Sequence, residues 1–236
     1  MIILVMTLRK FTSLSTFSLL SALLFLSAPL SAQKRIEVAK DTTAFFQGAV
    51  AGVDLFGAVQ RQVSDYGQYE AFLRLDLKGK YFPTFELGRG DAEHKEDIDE
   101  NIGKQITTKS KGLYGRIGCD FNVLKNKHDI YKVLVGFRYG YSKFDFEYHN
   151  PGVKDPIWLD TKACSFEDKG CYAHWIEGVF GVDAKIIGPV HLGWTVRYRR
   201  RIASSDCDMG DVWYVPGFGR SDKTNLGGTF NISIGI

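Results

Sequence analysis

After residue 32 this 236-residue sequence holds no apolar run long enough for a membrane-spanning helix, which needs about 20 consecutive residues to cross hydrocarbon. Any later part of the chain that crosses a membrane must cross as strands. Cysteine is scarce, at Cys119, Cys164, Cys171 and Cys207, and no two of these form a CxxC pair. HExxH, a phosphate-binding glycine loop and a dinucleotide fingerprint are missing too, so no motif argues for a metal, nucleotide or other cofactor. Charge of one sign is also missing. The formal net charge of +3 falls to +1 if Arg9 and Lys10 are removed with an N-terminal segment that contains no acidic residue. A nearly neutral chain gives no reason to expect nucleic acid as a partner.

What is present begins with an export signal. Arg9 and Lys10 precede an apolar, hydroxyl-rich stretch from Phe11 to Leu30, and Ser31-Ala32 offers small residues for cleavage before Gln33. Residues 1–32 are therefore expected to be a cleaved secretory signal peptide, 33–43 a short periplasmic segment, and 44–236 one barrel domain. A mature chain of about 204 residues fits a single all-β domain.

The mature sequence alternates apolar and polar residues in stretches of about ten. Side chains of a strand point alternately to opposite faces, so each stretch has one oily and one polar face. The last shows it plainly, with Phe230, Ile232, Ile234 and Ile236 opposite Asn231, Ser233 and Gly235. Further strands are predicted over Phe45–Gly57, Tyr69–Lys78, Tyr81–Gly90, Gly112–Val123, from Tyr131 to about Ser142, Tyr172–Ile186 and Val190–Ile202. The segments Asp91–Ser110, His149–Cys171 and Ala203–Lys223 read as long loops, and Ala58–Gln68 as an intermediate connection. Short turns at one rim and long loops at the other are the signature of an outer-membrane barrel with periplasmic turns.

Alternation alone does not say which face is inside, and a soluble lipocalin-like binder would alternate as well. Residue types favour the membrane barrel. The polar face interleaves glycines with Glu70, Arg74, Asp76, Glu86, Arg116, Asp120, Arg138, Glu177, Asp183, Lys185, Arg197 and Arg199. Small residues between paired charges suit the crowded interior of eight strands. The oily face places Tyr81, Tyr131, Tyr141, Trp194 and Tyr198 near strand ends, where such rings meet lipid headgroups. The expectation is an all-β fold, an eight-stranded antiparallel up-and-down transmembrane β-barrel whose lumen is plugged by this polar network.

The chain resembles the small OmpA/OmpX-like outer-membrane barrels over residues 40–236, with a terminal strand, Thr229-Phe230-Asn231-Ile232-Ser233-Ile234-Gly235-Ile236, similar to the one read by the barrel-assembly machinery. Ile236 stands where that signal usually ends in an aromatic residue. The style of the whole, with Tyr214-Val215-Pro216-Gly217 in the last loop, is similar to outer-membrane barrels of Bacteroidetes-type bacteria whose function is unknown. The resemblance implies residence in the outer membrane of a Gram-negative bacterium. It further implies contact with outer-membrane lipid and lipopolysaccharide, and with the assembly machinery during insertion. It carries no catalytic residues.

Other clusters have plainer readings. Asp91, Glu93, His94, Glu96, Asp97, Asp99 and Glu100 could hold Ca²⁺, but Lys95 and Lys104 dilute the charge and a solvated loop is expected. Of the run Arg197, Arg199, Arg200 and Arg201, only Arg200 should point outward, where it could meet lipopolysaccharide phosphate. Cys164 and Cys171 are the favoured disulfide, with Cys207 able to pair with either, and Cys119 is expected as a lipid-facing thiol. His149, His174, Glu177 and Ser142 are the materials for an outer-membrane hydrolase or acyltransferase, although His174 is predicted to face lipid rather than Glu177. The function expected is non-enzymatic: an envelope component, or a surface binding or scaffolding module acting through its long extracellular loops, with an unknown surface or periplasmic protein as a possible partner.

Overall fold

The structure is a computed structural model and describes residues 44–99, 104–127, 129–154, 161–205, 212–220 and 222–236. The expected signal peptide, 1–32, and the segment 33–43 lie outside the described residues. The strands are β1 (Phe46–Asp54), β2 (Tyr66–Leu77), β3 (Tyr81–Asp99), β4 (Lys104–Asn122), β5 (Tyr131–Lys154), β6 (Thr161–Ile187), β7 (Val190–Ser204), β8 (Tyr214–Val215), β9 (Gly219–Arg220) and β10 (Thr224–Gly235). β1 to β7 and β10 form a closed antiparallel ring of eight. β1 closes on β10 in the register Asp54↔Asn231 to Val50↔Gly235. β8 and β9 pair only with each other, as a small hairpin within the β7–β10 connection.

Turn chemistry fixes the short-turn rim. Lys78 and Gly79 both have positive φ, 57° and 64°, the geometry of the primed two-residue turn that matches strand twist. The Asp76 carboxylate accepts from Gly79 N at 2.7 Å and tightens it.

The pleat then sorts the side chains. Leu73, Phe85, Leu113, Ile117, Phe137, Ile176, Phe180, Trp194, Phe230 and Ile232 lie outside, 37–66% exposed. Glu70, Arg74, Glu86, Arg116, Asp120, Arg138, Glu177, Asp183, Arg197 and Arg199 lie inside at 7% or less. A water-soluble protein rarely exposes a contiguous apolar patch beyond a few hundred Å²; here such a surface encircles the wall. Among the described residues no helix is long and apolar enough to cross a membrane.

Three expectations need correction. The stretch Asp91–Ser110 is not a loop up to its tip, because β3 and β4 stay paired to Asp99↔Lys104. Likewise β5 and β6 run on through most of His149–Cys171, pairing as far as Lys154↔Thr161. Above the belt the outer face is polar, and on β5 the apolar residues change sides: Phe144 and Phe146 are buried inside while Lys143, Asp145 and Glu147 point out. The first strand stops at Asp54 rather than Gly57, and Leu55–Val63 forms a helix, α1. Lys185 keeps to the inner face, in register with His191, but sits at the short-turn mouth, where it is exposed.

α1 starts at Asp54, whose carboxylate accepts from Phe56 N at 3.0 Å and Gly57 N at 3.1 Å, as helix N-caps do. Its Leu55, Phe56, Val59 and Val63 are exposed, a spacing that puts them on one helical face. The helix packs against β2 and β10 where β1 has ended, so its oily face continues the outer surface of the wall.

Candidate functional site in the lumen and at its long-loop mouth

The interior is a lattice of five arginines and five carboxylates. Glu86 lies near its centre. Arg197 donates to it at 2.6 and 3.2 Å, Arg116 at 2.9 Å and Arg138 at 3.1 Å. Glu70 accepts from Arg116 and from the Tyr114 hydroxyl, each at 2.7 Å. Glu177 accepts from Trp175 Nε1 at 2.6 Å and lies within 3.0–3.4 Å of Arg116, Arg197 and Arg199. Toward the short turns Arg138 forks onto both oxygens of Asp120 at 2.7 Å, and Arg74 reaches Asp183 at 3.2 Å. Asp183 also faces His191 Nδ1 at 3.2 Å, and Lys132 pairs with Asp76 at 2.9 Å.

The lattice draws on β2 to β7, so most of these bonds cross the lumen rather than run along one strand. A buried charge is tolerated only when paired and hydrogen-bonded, and matching numbers of each sign meet that condition. The residues expected to line the lumen are placed there, with Asp76 and Lys185 the most accessible of them, at the short-turn mouth. The space left at the level of Arg74, Asp183 and Asn231 is about 10 Å³, near the minimum for one water.

Above the lattice the β8–β9 hairpin folds down into the barrel mouth. Val215 and Phe218 are 1% and 0% exposed, packed with Tyr114, Phe144, Phe146 and Trp175. Two lattice arginines hold its backbone: Arg116 donates to Gly217 O at 2.8 Å and Arg199 to Phe218 O at 2.9 Å. Gly217 has φ +81°, and a Cβ there would lie 2.4 Å from the Tyr114 ring. Only glycine meets both demands. The hairpin is a plug built from the Tyr214–Gly217 run; its own Phe218 and its docking partners Tyr114 and Trp175 were not singled out from sequence. An apolar run inside an otherwise polar loop was the available signal.

The hydrolase materials are dispersed. His174 faces outward among Tyr139, Tyr141 and Tyr172, its Nδ1 2.6 Å from the Tyr139 hydroxyl. Glu177 is inside, engaged by arginines, and Ser142 is buried with its hydroxyl on Leu113 O at 3.3 Å. His149 meets Ser165 at 2.7 Å, eight residues farther along β5 than the partner of His174, or roughly 27 Å. Among the described residues no group of three or more His, Cys, Asp or Glu could hold a metal ion.

The favoured disulfide is also corrected. Cys164 and Cys171 occupy the same strand, β6, roughly 20 Å apart at strand rise, whereas a disulfide needs Cα atoms within about 7 Å. Cys164 is an exposed free thiol, and Cys171 is buried in the aromatic cluster under the plug. Cys119 is a partly buried free thiol of the wall, and Cys207 lies outside the described residues.

The profile of a family described as a domain of unknown function, DUF6048, matches residues 11–235. The chain belongs to the DUF6048 family. No curated protein matches it in sequence. Among solved structures, CarO2 of Acinetobacter baumannii is similar at 13% identity and a TM-score of 0.41, over 82% of this chain and 100% of that one. For this DUF6048 member the barrel assignment rests on the hydrogen-bonded ring itself.

Proposed function

We propose that this protein is an outer-membrane β-barrel that acts without catalysis, as a closed envelope component presenting a rigid platform at its long-loop end. The observation that carries this reading is the inversion of surface and core: an apolar belt outside, and inside it a lattice in which each arginine has a carboxylate partner. Such a wall is stable in hydrocarbon, and such a lumen offers no water path. The belt fits lipid on all sides, and Thr229–Ile236 is the segment offered to the assembly machinery. The upper parts of β3–β6, carried beyond the belt as paired strands, suit a surface protein partner better than mobile loops would, because less ordering is needed on binding.

The test is to produce the chain with its leader in a Gram-negative host, fractionate the envelope, and reconstitute the purified protein in planar bilayers. Recovery in the outer membrane with no stable nanosiemens steps is expected, since wide aqueous channels need about sixteen strands. A soluble monomer that needs no detergent, or a stable large conductance, would overturn the reading.

A further inference from the structure

Directly above the oily belt, at the long-loop end, the first polar outward position of several strands is a base. On β3 Arg89 follows Leu87, on β4 Lys111 lies beyond Leu113, on β5 Lys143 follows Tyr141, and on β7 Arg200 follows Tyr198. The register draws three of these together. Leu113 is paired with Arg89 on one side and with Lys143 on the other. The two bases thus flank the last outward-facing apolar residue of β4 from two strand spacings apart, about 10 Å. Long side chains can close that gap around one tetrahedral anion. A cleft of about 910 Å³ lies over this point, and Arg61 of α1 reaches it from the β2 side.

The charges here differ from those of the lumen in being uncommitted. No carboxylate among the described residues lies within 4.0 Å of Lys111 or Lys143, and Arg89 touches only Asp91, at 3.6 Å and half exposed. One step farther from the belt, Lys111 is flanked in register by Asp91 and Asp145. An anion placed there would meet two carboxylates, so the favourable position is the lower one, at the edge of the oily surface. An anion held at that edge by arginine and lysine, with apolar side chains immediately below, matches the phosphate of an acylated headgroup. The guanidinium supplies a planar fork and the ammonium a point charge, the two modes by which proteins hold phosphate.

We propose that the outer face of β3–β5 binds a phosphorylated glycolipid of the outer leaflet, its phosphate between Arg89 and Lys143 over Leu113, with Lys111 and Arg61 closing the cleft. This rests on the membrane reading of the preceding subsection.

The experiment is native mass spectrometry of the full chain in detergent micelles, with bis-phosphorylated lipid A as the probe. Wild type is expected to prefer it over enzymatically dephosphorylated lipid A by about tenfold or more in Kd. Arg89→Gln combined with Lys143→Gln should abolish that preference, while Arg89→Lys with Lys143→Arg keeps most of it. Lys125→Gln with Lys185→Gln, at the opposite rim, should leave it intact. Equal wild-type affinity for the two lipids, or a preference that survives the Gln pair at Arg89 and Lys143, overturns the proposal. Competition by inorganic phosphate at millimolar concentration overturns the choice of a lipid as the source. Insertion of wild type into phosphatidylcholine bilayers free of glycolipid is scored separately. Failure there sinks the membrane reading, whereas loss of the lipid preference alone sinks only this site.

Discussion

The Asp54 carboxylate accepts a hydrogen bond from the backbone N–H of Phe230, 3.1 Å away, at the height where β1 ends and β10 runs on paired with β7 only. The same side chain caps α1 through Phe56 N and Gly57 N. One carboxylate thus finishes a helix and the freed edge of a strand. Asp54→Ala should cost roughly 2–3 kcal/mol, from the lost cap and the donor left without a partner. Asp54→Asn should recover most of that. Urea unfolding in a bilayer or micelle measures both, and a loss under about 0.5 kcal/mol for the alanine variant would contradict the double role.

Arg116 joins the lattice to the plug, touching Glu70, Glu86 and Glu177 and the Gly217 carbonyl. Removing one partner of a buried ionic network costs about 3–5 kcal/mol, because the charges left behind stay desolvated. Arg116→Ala is expected to lose that much stability and to expose the 212–220 hairpin to protease. Unchanged proteolysis of that hairpin would show that its docking is independent of the lattice.

Phe137 lies on the outer face at 58% exposure and in register with Cys119 and Gly178, each facing outward. Phe137→Arg puts a guanidinium against hydrocarbon and should cost about 2–4 kcal/mol if the position lies near the bilayer midplane. The same change on a wall bathed in water would cost almost nothing. Comparing unfolding in bilayers for wild type and variant decides it.

Tyr214 gives the plug a pH limit. Burial pushes its hydroxyl from near 10 up to about 12, against the lowering influence of Arg199 and Arg116. A folded-state value above the unfolded one means that the neutral phenol is the form the plug favours. Its stabilisation, roughly 2–3 kcal/mol at most, is complete below about pH 10 and is lost as pH rises towards 12. Tyrosinate absorbance should include a component near pH 12 that Tyr214→Phe removes. The plug's protease resistance should fall over the same window in wild type, and a fall of equal size in the phenylalanine variant would assign the limit to another group.

What the sequence made legible was whatever the pleat encodes. From Glu70 to Arg199 the residues assigned to the polar network fall on the inner face, Lys185 at its open rim, because a period of two leaves a strand one choice of face once its apolar set is known. Where that reason stops, so does legibility. From Asp91 to Asp99 there is no sustained apolar face, and strand is indistinguishable from loop by pattern. In the upper part of β5 the apolar set switches to the inner face at Phe144, which breaks the parity that identified the strand below it. α1 was hidden by coincidence, since Leu55 continues the parity of Ala49, Ala51 and Val53. Yet Asp54, followed by apolar residues at 55, 56, 59 and 63, is a helix start and face. The cysteines misled because seven residues form a small ring in a loop but a long rod in a strand.

The lattice also has a consequence for the order of events in assembly. Glu86 on β3 has one partner on its own hairpin, Arg116 on β4, but its closest is Arg197 on β7, 111 residues away along the chain. The plug that seats on Arg116 and Arg199 is made between β7 and β10. Contacts so remote in sequence form late. Until the last strand arrives, the nascent sheet must keep its arginines and carboxylates in water, because neighbouring strands supply too few partners to replace hydration. An open sheet with that interior cannot sink into lipid on its own, and a closed one has no reason to leave. If the wall meets lipid, as proposed, the same charges make insertion and closure a single act, completed when β10 meets β1.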